Sequence, residues 1–413
     1  MGKTTKSGDA PTVSAPSRTA SYDHIEPTVT LQWTVFAIGL LIVGATAASV
    51  VVALVLPRSA GQRLSLSVNR AVRLGFIMLS RLTSRYETKD AILAPTGPAA
   101  LLVQLGTFLG LFVIGYGLML WPWSGSLTLG LREAGLSLFS IGTAHVGGPT
   151  NDTLVGLVAG TAAITIALQI AYLPAIYSAF NRREALVALM ESRAGTPAWG
   201  PEVLMRHQLV GIVDALTEFY AEWEQWAAEV SESHTTYPVL LLFRSPQAWY
   251  SWVLSLLAVL DAAAMHLALS PTTAPSQARL CLRMGFSAFR RIASSLHWRF
   301  DADPLPDAPL DLSYEEFSAA VDLLVAKSFP VERGAEEAWP HFRGWRVNYE
   351  SLAYRLADRV VAPPAPWSGG RKHLPGAAVP PRRPPHRSPD GSILPDDHLY
   401  PRPDGEVTRV EGA

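Results

Sequence analysis

Three long apolar runs constrain this chain more than any other feature of its sequence. They cover Leu31–Leu56, Pro98–Trp121 and Leu154–Phe180. Each is long enough to cross a bilayer core of about 30 Å, which takes roughly 20 helical residues. Charged residues make up only 17% of the chain, whereas soluble domains usually carry about 25%. The sequence therefore predicts an all-α membrane protein with three transmembrane helices, the first within residues 29–56.

The distribution of Lys and Arg predicts how these helices are oriented. Residues 57–97 carry seven Lys or Arg, and Arg182 and Arg183 follow the third run, whereas residues 122–153 carry only Arg132. Basic loops stay in the cytoplasm. We therefore expect a multi-pass protein of the cell membrane with its N-terminus outside and its C-terminal domain in the cytoplasm.

The segment 57–97 has the pattern of a basic amphipathic helix. Arg63, Arg70, Arg81 and Arg85 fall on one side of a helical wheel, and mostly apolar residues fall on the other. Such a face fits an anionic membrane leaflet. It also fits a helix packed on its own protein, and the two interpretations remain open.

A fourth apolar run, residues 248–269, contains Asp261. A carboxylate at the centre of a bilayer costs roughly 3 kcal/mol. The run is also followed by five arginines in residues 279–299, so both of its flanks favour the cytoplasm. We interpret it as the central helix of a cytoplasmic helical domain over residues 181–361.

The two ends of the chain, residues 1–28 and 362–413, are rich in Pro, Gly, Ser or Arg and are predicted to be disordered. The single cysteine, Cys281, excludes an internal disulfide. No phosphate-binding loop, dinucleotide fingerprint or paired-histidine zinc motif occurs. A formal net charge of -1 gives no reason to expect nucleic acid as a partner. We therefore expect no cofactor, no metal and no enzymatic activity.

The loop between the second and third runs contains the stretch SLFSIGTAHVGGP. Because both flanking runs return to the same side, the layout is that of a pore domain over residues 98–180. Leu127–Phe139 is apolar enough to form a short helix that dips into the bilayer, and the negative C-terminal end of such a helix favours a cation. The residues Ser140–Ala144 that follow are small enough to line a re-entrant path with backbone carbonyls.

Two stretches, LSLFSIGTA and AFNRRE…ESRAG, resemble bacterial two-transmembrane, potassium-channel-like pore-domain proteins. The resemblance covers about residues 98–300 and implies a homotetrameric channel for a monovalent cation, with K⁺ as the expected ion. The family filter has the form Thr-x-Gly-aromatic-Gly, whose carbonyls replace the hydration shell of the ion.

This chain departs from that filter at defined positions. Ser140 replaces the threonine and keeps a hydroxyl, Ile141 takes the free position, and Gly142 matches the first glycine. Thr143 replaces the aromatic residue, and Ala144 replaces the second glycine. We therefore expect altered ion selectivity. A non-conducting membrane anchor for a regulatory or interaction module is the alternative.

The third run carries a polar stripe of Thr161, Thr165, Gln169 and Tyr172, spaced so that all four lie on one helix face. Such a face lines the cavity of an oligomeric channel, or else forms hydrogen bonds between helices. Gly160 is a candidate hinge, although most glycines in membrane helices serve packing. The spacing of Gly156 from Gly160, and of Gly106 from Gly110, permits close helix contacts.

Overall fold

The computed structural model describes residues 29–56, 63–139 and 149–370. The two chain ends, the linker 57–62 and the filter-like residues Ser140–Ala144 lie outside that part of the chain. Within the described residues every regular element is helical, and four helical segments are long and apolar enough to cross a membrane. The structure thus confirms an all-helical protein with several candidate membrane-spanning helices.

The described part of the chain forms thirteen α-helices, with 3₁₀ turns at Val213–Ala215 and Pro238–Leu242. The α-helices are α1 (Val29–Leu54), α2 (Arg63–Ser80), α3 (Tyr86–Leu93), α4 (Thr96–Ser124), α5 (Leu127–Leu138), α6 (Pro149–Ala194), α7 (Gly200–Val210), α8 (Leu216–Thr236), α9 (Trp252–Leu269), α10 (Ser276–Ser295), α11 (Tyr314–Ala326), α12 (Ala335–Arg346) and α13 (Glu350–Arg359).

Helices α1, α4, α5 and α6 pack around one apolar cluster, which includes Phe108, Phe112 and Leu120 of α4. Glycines allow close approaches between these helices. A Cβ at Gly39 of α1 would lie 2.5 Å from the Gly115 carbonyl oxygen of α4. Because lipid tails give apolar helices no hydrophobic reason to associate, such close backbone packing is a main source of their cohesion.

Helix α6 is continuous over 46 residues and joins this bundle to the domain that follows. Pro174 lies inside it, on the exposed side. Proline removes one backbone hydrogen bond but leaves a helix continuous where its surroundings compensate. The second half of α6 therefore reaches the helical domain without an intervening loop.

Helix α9 lies at the centre of the helical domain, and all of its residues are buried by protein. Helices α7, α10, α12 and α13 pack around it. Gly200 of α7 and Gly285 of α10 allow two of these approaches, since a Cβ on either would lie within 2.5 Å of an α9 side chain. Helix α11 begins at a capping box in which Ser313 and Glu316 each accept the other's backbone N–H.

Two boundaries differ from those expected. The segment 57–97 is divided into α2 and α3, and α4 begins at Thr96, before the expected start of the pore domain. At the other end, the chain stays packed on the helical domain beyond residue 361, where we expected disorder. Trp367 is buried there, with its ring 5.8 Å from that of Phe342 and 5.7 Å from that of Trp199. One large aromatic side chain anchors a segment whose composition alone predicts disorder.

Candidate functional site

The short helix α5 lies between the two long helices α4 and α6, in the position where the sequence predicts a pore helix. Its N-cap is Ser126, whose hydroxyl oxygen accepts a hydrogen bond from the Leu129 backbone N–H at 3.3 Å. It ends at Leu138, one residue before the predicted end. The C-terminal end of α5 therefore immediately precedes Ser140–Ala144. These predicted filter residues lie outside the described part of the chain.

Helix α5 packs on α4 through glycine on both sides. A Cβ at Gly130 of α5 would lie 2.6 Å from the Gly117 carbonyl oxygen, and a Cβ at Gly117 would lie 2.5 Å from the Leu131 side chain. On the same helix, Gly135 has no such neighbour within 4 Å. The position of α5 against α4 thus depends on two particular glycines.

In the first half of the polar stripe of α6, Thr161 and Thr165 form hydrogen bonds within the chain. The Thr161 hydroxyl donates to the Leu157 carbonyl oxygen at 2.7 Å and lies 2.8 Å from the Tyr116 hydroxyl oxygen. Because the Thr161 proton is used on Leu157, the Tyr116 hydroxyl is the donor to Thr161. Thr165 is buried and donates to the Thr161 carbonyl oxygen at 2.8 Å.

The second half of the stripe, Gln169 and Tyr172, is buried within the chain. Gln169 is 5% exposed, and its amide oxygen and nitrogen have no hydrogen-bond partner among the described residues. Tyr172 is buried, and its ring meets the edge of the Tyr237 ring at 5.5 Å. The four stripe residues therefore share one face, as predicted, but in this single chain that face turns toward α4 and the residues before the Pro238–Leu242 turn.

A different face of α6 is open, and it consists mostly of small residues. Gly156, Gly160, Ala163 and Ala167 are all exposed, and nothing lies within 4 Å of a Cβ placed at either glycine. The same is true of Gly106 and Gly110 on α4. The glycine pairs that permit close helix contacts are thus not used within the described chain.

Arg183 connects α6 to the helical domain at the point where the polar part of α6 begins. Its guanidinium is fully buried and contacts Glu184, donating also to the Leu240 and Phe243 carbonyl oxygens at 3.1 and 2.8 Å. It lies 3.0 Å from Nε2 of His234. Arg183 therefore links α6 to the segment between α8 and α9.

The hydrogen bonds of His234 define its protonation state. Arginine has only donors, so Nε2 of His234 accepts from Arg183, and its Nδ1–H donates to the Val230 carbonyl oxygen at 3.0 Å. Burial and the nearby Arg183 charge lower the pKa of His234 well below its usual value. The imidazole is therefore neutral at physiological pH.

A partly buried arginine, Arg244, connects α3 to the helical domain. It forms an ion pair with Asp90 of α3 and donates to the Val361 carbonyl oxygen at 3.0 Å and to the Tyr86 hydroxyl at 2.9 Å. Phe243, the preceding residue, packs closely on Gly97 at the start of α4. We refer to the contacts of Arg183 and Arg244 as the junction between the apolar bundle and the helical domain.

In the sequence, Arg183 marks the orientation of the third run and lies within the AFNRRE stretch, whereas nothing singles out Arg244 or Asp90 as a pair. One signal for Asp90 was available, because it is one of only two acidic residues in the otherwise basic segment 57–97. Its partner is 154 residues away. No local pattern identifies a pair at that separation.

The helical domain contains a second fully buried arginine, Arg346, in contact with α9. It pairs with Asp261 at 2.5 Å and with Glu350 at 2.8 Å, and it donates to the Trp367 carbonyl oxygen at 2.9 Å. Burial alone would lower the pKa of Arg346, but Asp261, Tyr354 and Glu350 raise it well above its usual value. Arg346 thus supplies a buried cation to Asp261, the carboxylate that argued against a membrane location for α9.

The described residues contain no group of three or more His, Cys, Asp or Glu side chains placed to hold a metal ion. Comparison of the chain with family models, curated proteins and solved structures finds no match. The geometry of α4, α5 and α6 and of the junction is therefore the basis for assigning a function.

Proposed function

We propose that this is an integral membrane protein with a pore domain, which passes a monovalent cation passively through an altered filter. The observation that carries the proposal is the placement of α5, a short N-capped helix between two long apolar helices, immediately before Ser140–Ala144. The partial negative charge at a helix C-terminus favours a cation there. K⁺ is the ion to test first, because the resemblance of the sequence is to potassium-channel-like proteins.

Two further features support this function. The buried Gln169 amide has no partner among the described residues, so α6 carries an unsatisfied polar group within an apolar helix, a feature typical of functional positions in membrane proteins. The open glycine faces of α4 and α6 permit close contact with a second copy of the chain. We therefore expect a homo-oligomer in the lipid bilayer of the cell membrane, with the N-terminus outside and the helical domain in the cytoplasm.

A second candidate function is a non-conducting anchor for the helical domain. One observation favours it, since Thr165, Gln169 and Tyr172 are enclosed by this chain's own helices instead of facing an open path. The junction supports it as well, because Arg183 and Arg244 tie the domain to α6 and α3. In this case the altered filter has lost its ion-binding role.

Ion flux into liposomes distinguishes the two functions. Purified protein is reconstituted, and uptake of K⁺, Na⁺ and Rb⁺ is measured for the wild type and for Gly142→Asp. We expect uptake in wild-type vesicles above that of empty vesicles, and at least a tenfold loss in Gly142→Asp, because the substitution places a side chain and a charge in the filter-like segment.

The matched control is Gly75→Asp, which makes the same substitution at an exposed position of α2 with open space around it. It should retain wild-type flux. Equal flux in empty, wild-type and Gly142→Asp vesicles contradicts conduction and supports the anchor. Equal loss in both variants would show that the effect is not specific to the filter-like segment.

A further inference from the structure

An open groove lies between α10 and α12, on the helical domain and separate from the junction. Its volume is about 860 Å³, and its lining includes Arg279, Arg283, Phe286, Arg290, Trp345 and Asn348. Pockets for small molecules and cofactors commonly measure about 300 to 1,000 Å³. The groove is therefore large enough for an organic ligand.

Three arginines of α10 line this groove from one helix face. Arg283 and Arg290 follow Arg279 at i+4 and i+11, which on a helix of 3.6 residues per turn brings all three to the same side. Arg279 and Arg283 are exposed, and neither forms an ion pair or hydrogen bond with any residue that the structure describes. Their donors are available to a ligand.

The third arginine is already held in place. The Arg290 guanidinium lies 4.7 Å from the centre of the Phe286 ring, and its Nη2 donates to the Asn348 side-chain oxygen at 2.9 Å. Burial lowers the pKa of Arg290, and the charges of Asp303 and Asp301 oppose that effect. Asp303 is the acidic residue among the groove's lining, so positive charge predominates.

Part of the remaining wall of the groove is apolar. Leu280 is half exposed and Trp345 is partly buried, and both line the same space as the arginines. An inorganic anion would use only the guanidinium groups. An anion with a ring or an apolar part would also remove this surface from water, which favours binding in proportion to the area covered.

We propose that this groove binds a phosphate-bearing organic molecule, with its phosphates on Arg279 and Arg283 and its ring or apolar part against Trp345. The planar guanidinium fork matches phosphate oxygens bidentately, which makes arginine a preferred residue for recognising phosphate. The same chemistry occurs in a soluble nucleotide and in a phosphoinositide headgroup. The proposal does not depend on whether the protein conducts ions.

Calorimetric titration of the full chain in detergent tests the proposal, with ATP and a short-chain phosphatidylinositol bisphosphate as the two organic probes and inorganic pyrophosphate as a third. We expect one organic probe to bind more tightly than pyrophosphate, and Arg279→Gln and Arg283→Gln each to weaken its binding at least tenfold. The organic probe that binds identifies the source of the ligand as soluble or lipid.

The control is Arg291→Gln, which removes an exposed charge from the same helix outside the groove's lining. It should change affinity less than twofold, and thermal unfolding of all three variants should match the wild type. The proposal is overturned if neither organic probe binds, or if Arg291→Gln weakens binding as much as Arg283→Gln. Pyrophosphate binding as tightly as both organic probes would overturn the contact with Trp345.

Discussion

Helices α1 and α9 have similar composition but different surroundings. Over their most apolar windows their mean hydropathies are 2.5 and 1.9, yet 17% of the α1 window is buried by the protein and 100% of the α9 window is. Hydropathy therefore reports only the composition of a helix. Whether lipid or protein surrounds the helix depends on the other helices that pack against it.

The polar residues of the two helices show the same difference. In α1, Thr34, Thr46 and Ser49 donate to carbonyl oxygens one turn earlier in their own helix, so they need no outside partner. In α9, Asp261 pairs with Arg346 of α12 and accepts a hydrogen bond from Tyr349. Self-contained hydrogen bonding suits a lipid environment, whereas a buried carboxylate requires a protein partner.

Cysteine labelling tests the different surroundings of α1 and α9 most directly, because its result is all or none. Thr128 and Ser276 are both exposed, so a cysteine introduced at either position is accessible to a labelling reagent. The natural Cys281 is buried and should give little background labelling. In intact cells we expect an impermeant maleimide to label Thr128→Cys and to label Ser276→Cys only after permeabilisation. Labelling of Ser276→Cys from outside would mean that α9 crosses the membrane.

Removal of the α9 partner should have the largest effect on stability. Arg346→Met leaves Asp261 buried without its cation, which costs about 3 to 5 kcal/mol for a pair of this kind. Pulse proteolysis in urea should show a lower unfolding midpoint for the helical domain.

Two further variants sharpen this measurement. Arg291→Met changes an exposed arginine of the same domain and should leave the midpoint unchanged. The double variant Asp261→Asn, Arg346→Met should recover part of the loss, because it removes one of the two buried carboxylates, Asp261 and Glu350, that Arg346 pairs with. A midpoint for Arg346→Met equal to that of Arg291→Met would contradict the central role of the pair.

A smaller effect is expected in the apolar bundle, where glycine contacts replace ion pairs. Gly130→Ala places a methyl group against the Gly117 backbone and should destabilise the bundle by about 1 to 3 kcal/mol. Gly135→Ala, on the same helix with open space, should be neutral or stabilising by up to about 1 kcal/mol. Thermal unfolding in one detergent compares the two, and equal melting temperatures would mean that α5 does not depend on its contact with α4.

Helix α5 shows how much of the candidate site is predictable from sequence. Its residue range follows from an apolar stretch that begins after Ser126 and ends before a run of small residues, and the structure agrees to within one residue. Its close packing on α4 cannot be predicted from the sequence, because nothing in the sequence distinguishes Gly130 from Gly135. Only the position of Gly117 across the interface distinguishes them.

The polar stripe of α6 gives the same lesson for function. Helical periodicity alone determined that Thr161, Thr165, Gln169 and Tyr172 share a face. It did not determine that Tyr116 and Tyr237 cover part of that face, since a helix repeat carries no information about neighbouring segments.

The helical character of this protein and its membrane-length apolar segments are predictable from the sequence, because both properties follow from local composition and spacing. The folded structure is needed to show which apolar helix is enclosed by protein and which groups Arg183, Arg244 and Arg346 contact. These outcomes depend on contacts between residues far apart in the chain. The energy of a buried charge or a glycine contact is defined by both partners together.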